Sequence, residues 1–161
     1  AGATGVTSAR RSRSGLRWKP PNCSHPGPAV DTRQTILVVE DSDEHFESVL
    51  RAFKKTGVPN PVVRCTDGDE ALDYLFRRGR FSDPASSPRP GVVLLDLNLP
   101  GTDGREVLDQ VKATEAVKDI PVVVVTSSSS PTDIKVSYRS GASSYIIKPL
   151  SFDEFLKTVE S

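Results

Sequence analysis

The 161-residue sequence predicts an α/β fold: a doubly wound, five-stranded parallel sheet with strand order 2-1-3-4-5. Three observations carry that prediction. Short continuous apolar runs such as Ile36-Leu37-Val38-Val39 and Val122-Val123-Val124-Val125 have no polar alternation, as expected of strands buried on both faces. Between them lie segments whose apolar residues recur at helical spacing. The two kinds alternate five times, and right-handed crossovers between parallel strands leave few ways to wind such a chain.

The first strand is Ile36–Val39. Ser42 is placed to cap the helix that follows, and Phe46, Val49, Leu50 and Phe53 fall at i, i+3, i+4 and i+7 along it. Gly57 fits its C-terminal stop. Pro61–Cys65 reads as the second strand, with the proline at its start, where no ladder donor is lost. Asp67 to about Arg78 reads as a helix with Leu72, Leu75 and Phe76 on one face. Gly91–Leu95 is the third strand. Gly104 to about Thr114 is a helix carrying Val107, Leu108 and Val111. Pro121–Val125 is the fourth strand, and Pro131–Ser140 the fourth helix. Ser130 supplies its cap, Pro131 its first turn and Asp133 a capping-box acid. Ser144–Ile147 is the fifth strand, and Phe152, Phe155, Leu156 and Val159 form the apolar face of a fifth helix.

Charge divides the chain. Its 21 Lys and Arg equal its 21 Asp and Glu, yet residues 1–35 hold six basic residues against Asp31 alone, a net +5. Residues 36–161 hold 15 basic and 20 acidic residues, a net −5. The sequence therefore predicts a basic extension over 1–35 and a folded domain over 36–161. The extension has four Gly, four Pro and little apolar content, too little to offset its ordering entropy, so a disordered tail is expected. Beside that stand three other readings. Arg10-Arg11-Ser12-Arg13 with Trp18 suits nucleic acid or an acidic lipid surface. The Arg- and Ser-rich stretch is faintly like an organellar transit peptide, with no apolar core for a secretory signal. The chain has no Met, so a translated upstream region is the third. Nothing approaches the roughly 20 apolar residues of a membrane span. Cys23 and Cys65 are too few for a disulfide framework or a four-cysteine zinc site.

In a sheet of this order, function sits at the carboxyl ends of the strands, near the switch point between strands 1 and 3. Strand 1 ends in Glu40-Asp41, strand 3 in Asp96, strand 4 in Thr126 and strand 5 in Lys148-Pro149. Carboxylates gathered in one crevice raise each other's pKa unless a cation compensates, and Mg²⁺ suits a site with few protein ligands. Lys148 adds a point charge suited to phosphate, and Thr126 a hydroxyl. A nucleophilic carboxylate, a metal and fixed donors are what in-line phosphoryl transfer requires. Each residue alone has a plainer role as loop, cap or surface; joint placement at four strand ends argues for the set.

These residues resemble the receiver domain of two-component response regulators. The likeness is carried by Ile36 to Asp41, Leu94-Leu95-Asp96-Leu97-Asn98-Leu99-Pro100 with Asp103-Gly104, Val125-Thr126, and Tyr145-Ile146-Ile147-Lys148-Pro149. Thr126 lies 30 residues and Lys148 lies 52 residues beyond Asp96, as in that family. The resemblance spans nearly all of 36–161 and implies a flavodoxin-like receiver fold. It implies that Asp96 accepts a phosphoryl group from a sensor histidine kinase or phosphotransfer protein. Asp41, Asp96 and the main-chain carbonyl of Asn98 would bind Mg²⁺, which Glu40 would reach directly or through water. Lys148 would contact the phosphoryl oxygens. Thr126 would move toward them, with Tyr145 following as the aromatic switch, and a cis peptide would join Lys148 to Pro149. A cytoplasmic location follows, with no DNA or membrane partner.

Two features narrow the resemblance to single-domain regulators associated with phytochrome-type kinases. They are the long link from Tyr74 to Pro90 and the run Asp96 to Leu108. That subfamily suggests a homodimer through helix 4, strand 5 and helix 5. Helix 4 is weakly amphipathic, with Ile134, Val136 and Tyr138 alternating; it reads equally as a partner-facing surface or a marginal helix. The extension over 1–35 and the run Ser127 to Ser130 depart from the family pattern. Ser128 and Asn98 stand where the family tunes water attack on the acyl phosphate.

His25 and His45 have no ligand spacing, and His45 reads as solvated surface on helix 1. Cys65 reads as packed, and Arg77-Arg78-Gly79-Arg80 as solvated charge or a partner contact. An aspartate-nucleophile phosphatase is the competing enzymatic reading, weakened by Asn98, where such chemistry wants a second acid. Nucleotide or flavin binding lacks its glycine-rich loops. With the sequence ending at Ser161, no room is expected for a DNA-binding output domain.

Overall fold

The computed structural model describes residues 34–148. Its strands are β1 (Thr35–Val39), β2 (Val62–Cys65), β3 (Pro90–Leu95), β4 (Val122–Thr126) and β5 (Ser144–Ile147). Its α-helices are α1 (Asp43–Thr56), α2 (Gly68–Phe76), α3 (Gly104–Ala113) and α4 (Pro131–Arg139). The strands form one sheet in the order β2-β1-β3-β4-β5, every pair parallel. The predicted flavodoxin-like architecture is the observed one. The fifth helix, the Lys148–Pro149 peptide and the extension through Arg33 lie outside the described residues.

Both sheet faces are buried, which is why the strands need continuous apolar runs. Leu37, Val39, Val93, Leu95 and Val124 pack on one face with Leu72 and Leu75 of α2 and Val107, Leu108 and Val111 of α3. Ile36, Val38, Leu94, Val123 and Ile146 point the other way, toward Val49 and Phe53 of α1. Each buried Leu or Val contributes roughly 1.5–3 kcal/mol relative to exposure. Among the described residues no helix is long and apolar enough to cross a membrane.

Ser42, Gly57 and Ser130 cap as the sequence predicts, but Asp133 closes no capping box: the Ser130 N–H donates to Ser128 Oγ, and the Asp133 carboxylate turns to the Ser128 hydroxyl and Arg105. Ser42 accepts from the His45 N–H, and Gly57 ends α1 at φ 68°. Ser130 caps α4 by accepting from the Asp133 N–H, with Pro131 in the first turn. The second helix stops earlier than expected, at Phe76 instead of near Arg78. Arg77 takes the left-handed conformation at φ 54°, and its N–H and that of Arg78 close the helix on Tyr74 and Asp73 carbonyls. A 3₁₀ turn, Gly79–Phe81, comes next. Its basic run is exposed but tethered: Arg80 pairs with Glu70, and Arg78 lies 4.7 Å over the Phe76 ring. Cys65 is fully buried, and burial pushes its thiol up to about 12.

One glycine sets how closely α3 approaches the sheet. A Cβ at Gly104 would strike the backbone carbonyl of Asp96 and the Cα of Leu97. The first turn of α3 can therefore lie directly against the loop after β3 only without a side chain there.

Candidate functional site

Register places the carboxyl ends of the central strands side by side. Val39 pairs with Leu95, Leu95 with Val124 and Thr126 with Ile147. The next residues along β1, β3 and β5 are thus Glu40, Asp96 and Lys148. Glu40 and Asp96 are buried, at 3% and 5% exposure, and Thr126 is fully enclosed.

Lys148 joins the two acids. Its Nζ donates to Glu40 Oε2 at 2.5 Å and to Asp96 Oδ2 at 2.7 Å, and all three side chains are over nine-tenths buried. Two buried carboxylates so close repel one another, and the ammonium between them compensates their charge. The other Asp96 oxygen accepts the Asn98 N–H at 3.0 Å, which turns the loop after β3 back on itself. The Asn98 amide reaches the Thr126 hydroxyl at 3.4 Å, which also accepts from the Ser128 N–H. Glu40 Oε1 accepts the Ser42 N–H at 3.1 Å.

The structure does not bring every expected residue to the cluster. The Asp41 side chain is exposed, and its main-chain carbonyl is what is engaged, accepting from Arg64 Nη2 at 3.0 Å. The same guanidinium donates to the Glu40 carbonyl and to Asp43, pinning the turn after β1. Arg64 stands beside Val38 in the register of β2 on β1, so its side chain reaches past the end of β1. Sequence spacing alone does not reveal that.

His45 is the second difference. It is exposed on α1, as expected, but its Nδ1 turns inward, 3.3 Å from Glu40 Oε1 and 3.0 Å from Lys148 Nζ. The usable signal was its place in the first turn of a helix that starts just after Glu40. Glu40, His45 and Asp96 each offer a ligand atom within 4.8 Å of the others. Two buried carboxylate oxygens at that separation suit a divalent cation, so the donor set fits one.

A second network borders the site. Arg105 Nη2 in α3 pairs with Asp133 Oδ2 in α4 at 2.9 Å, and that carboxylate also accepts the Ser128 hydroxyl at 2.6 Å. These contacts, the Ser128 hydrogen bond first, hold the Asp133 carboxyl below its usual range. The Tyr145 hydroxyl donates to the Ser128 carbonyl at 3.0 Å, and burial raises its pKa. On α4, Val136 and Tyr138 are exposed apolar side chains.

A family model described as the response regulator receiver domain matches residues 36–160. A relative named Probable methanogenesis regulatory protein FilR2, from Methanothrix harundinacea, is 44% identical over 125 residues, 78% of each chain. Response regulator Rcp1 of Synechocystis is 36% identical, covering 79% of this chain and 84% of that one. Its Mn²⁺-bound crystal structure superposes with a TM-score of 0.69 over 79% of this chain and 89% of that one. The bacteriophytochrome response regulator AtBRR gives a TM-score of 0.70 at 42% identity, over 79% of this chain and 90% of that one.

Proposed function

This chain belongs to the response regulator receiver family, and from that premise we propose that it is a signalling switch whose phosphoryl acceptor is Asp96. The observation that carries the reading is the Lys148 ammonium 2.7 Å from a buried Asp96 carboxylate at the end of β3. An Asp96 oxygen attacks the phosphorus of a phosphohistidine on a sensor kinase or phosphotransfer protein. The P–N bond breaks as the O–P bond forms, and the freed imidazole takes up a proton. Lys148 shifts its charge from the free carboxylate to the phosphoryl oxygens, and the Thr126 hydroxyl donates to one of them.

In this reading Asp41, Asp96 and the Asn98 carbonyl would hold Mg²⁺, with Glu40 reaching it directly or through water. The ion would neutralise charge that the carboxylates and the incoming phosphoryl oxygens would otherwise set against one another. The Asn98 N–H keeps one Asp96 oxygen oriented, leaving the other as nucleophile.

Thr126 and Tyr145 transmit the change. The Tyr145 hydroxyl is tied to Ser128, two residues past Thr126, so displacement of the β4–α4 loop toward a phosphoryl group releases the ring. Likeness to the bacteriophytochrome response regulator AtBRR supports a phytochrome-like kinase as donor. Exposed Val136 and Tyr138 support a homodimer through α4, β5 and the helix predicted beyond them. We assign residues 36–161 to the receiver, 1–35 to a basic extension, and the protein to the cytoplasm, with neither DNA nor membrane as partner.

The test is phosphorylation by a small phosphodonor with Mg²⁺. The expected product is one acid-stable, base-labile acyl phosphate on Asp96. Labelling that persists in Asp96→Asn overturns the assignment.

A further inference from the structure

Lys148 Nζ donates to Glu40 Oε2 at 2.5 Å and to Asp96 Oδ2 at 2.7 Å, and it lies 3.0 Å from His45 Nδ1. The same imidazole nitrogen is 3.3 Å from Glu40 Oε1. The ammonium therefore marks a focus of two hard oxygens and one borderline nitrogen.

Such a donor set has a consequence for metal choice. Mg²⁺ takes oxygen ligands and keeps its waters. Imidazole nitrogen is a preferred ligand of first-row transition ions, whose affinities rise along the series that begins at Mn²⁺. His45 is exposed enough to turn on its side-chain bonds, yet its Nδ1 lies within 4.8 Å of both carboxylates.

We infer that His45 is a direct metal ligand alongside Glu40 and Asp96, and that it biases this site toward transition ions over Mg²⁺. The inference rests on the divalent-ion site of the proposed function and adds a nitrogen ligand to it. Because His45 starts from the first turn of α1, while Glu40 and Asp96 come from strand ends, the bound ion also ties that helix to the sheet.

The test is titration of the full chain with Mn²⁺ and with Mg²⁺ by calorimetry, joined to electron spin-echo spectroscopy of the Mn²⁺-loaded protein. Wild type should show a ¹⁴N coupling from one bound imidazole. His45→Gln should lose that coupling and bind Mn²⁺ about tenfold or more weakly, with Mg²⁺ affinity changed far less. His45→Asp, which offers an oxygen in the same place, should lose the coupling while keeping Mn²⁺ affinity closer to wild type. A coupling that survives in His45→Gln, an unchanged Mn²⁺ affinity, or an equal fall for both ions overturns the inference and leaves the receiver reading standing. Wild-type protein that binds neither ion overturns the underlying metal site as well. Circular dichroism confirms that each variant is folded, as expected for a half-exposed position.

Discussion

Arg105 in the first turn of α3 and Asp133 in the first turn of α4 form an ion pair of 2.9 Å. The pair clasps the loop between β4 and α4, because Asp133 also holds the Ser128 hydroxyl. The loop that would move toward a phosphoryl group in the proposed switch is thus fastened to α3.

Breaking the clasp should loosen that loop selectively. Arg105→Ala and Asp133→Asn should raise amide hydrogen exchange over residues 127–130 and leave β1 and β3 protected. Exchange rates equal to wild type in the loop would show that the pair does not restrain it.

The clasp should also fail in acid, in a defined direction. The folded Asp133 carboxyl titrates below its ordinary value of about 3.9. Its contribution is therefore complete above pH of about 4 and is lost as pH falls through the lowered folded value. Thermal melts of wild type and Asp133→Asn should differ at neutral pH and converge at the acid end.

Removing the cation from the buried acids should be costly. Lys148→Ala leaves Glu40 and Asp96 facing each other without compensation, and a loss of about 3–5 kcal/mol is expected in urea unfolding at neutral pH. Added Mg²⁺ should recover part of it by binding the folded state. A variant as stable as wild type without metal would mean that the acids take up a proton instead.

Gly104→Ala tests the close approach of α3 to the loop after β3. The new methyl meets the Asp96 carbonyl, so the backbone must give way. Destabilisation of about 1–3 kcal/mol is expected, with slower phosphorylation of Asp96. Unchanged rates would separate the position of α3 from the geometry of Asp96.

Cys65 should be inert to thiol reagents. With its pKa at about 12, roughly one thiol in ten thousand is ionised at pH 8, and the side chain is enclosed. In a Cys23→Ser background, labelling should follow unfolding by urea and be absent before it.

The elements of this fold were legible because apolar runs and caps are local. Ile36–Val39 reads as a doubly buried strand, and Ser42, Gly57 and Ser130 mark helix ends through bonds that reach three or four residues. The convergence of Glu40, Asp96, Thr126 and Lys148 was legible for another reason: parallel order turns four distant strand ends into neighbours. Side-chain direction was not legible. Asp41 follows Glu40 directly yet faces solvent, since adjacent residues leaving a strand point apart. His45 read as surface by its helical position, and only the rotamer turns its Nδ1 inward. The early stop of α2 at Arg77 was not legible either, because arginine rarely takes a positive φ.

The Lys148–Glu40 contact spans 108 residues of chain. A ribosome making this protein N-terminus first produces both acids long before their counter-charge exists. Until β5 docks, the ammonium that bridges Glu40 and Asp96 is missing from the end of the sheet. Contacts of such long range are slow to form. The charge balance of the cluster is therefore completed only when β5 joins the other strands.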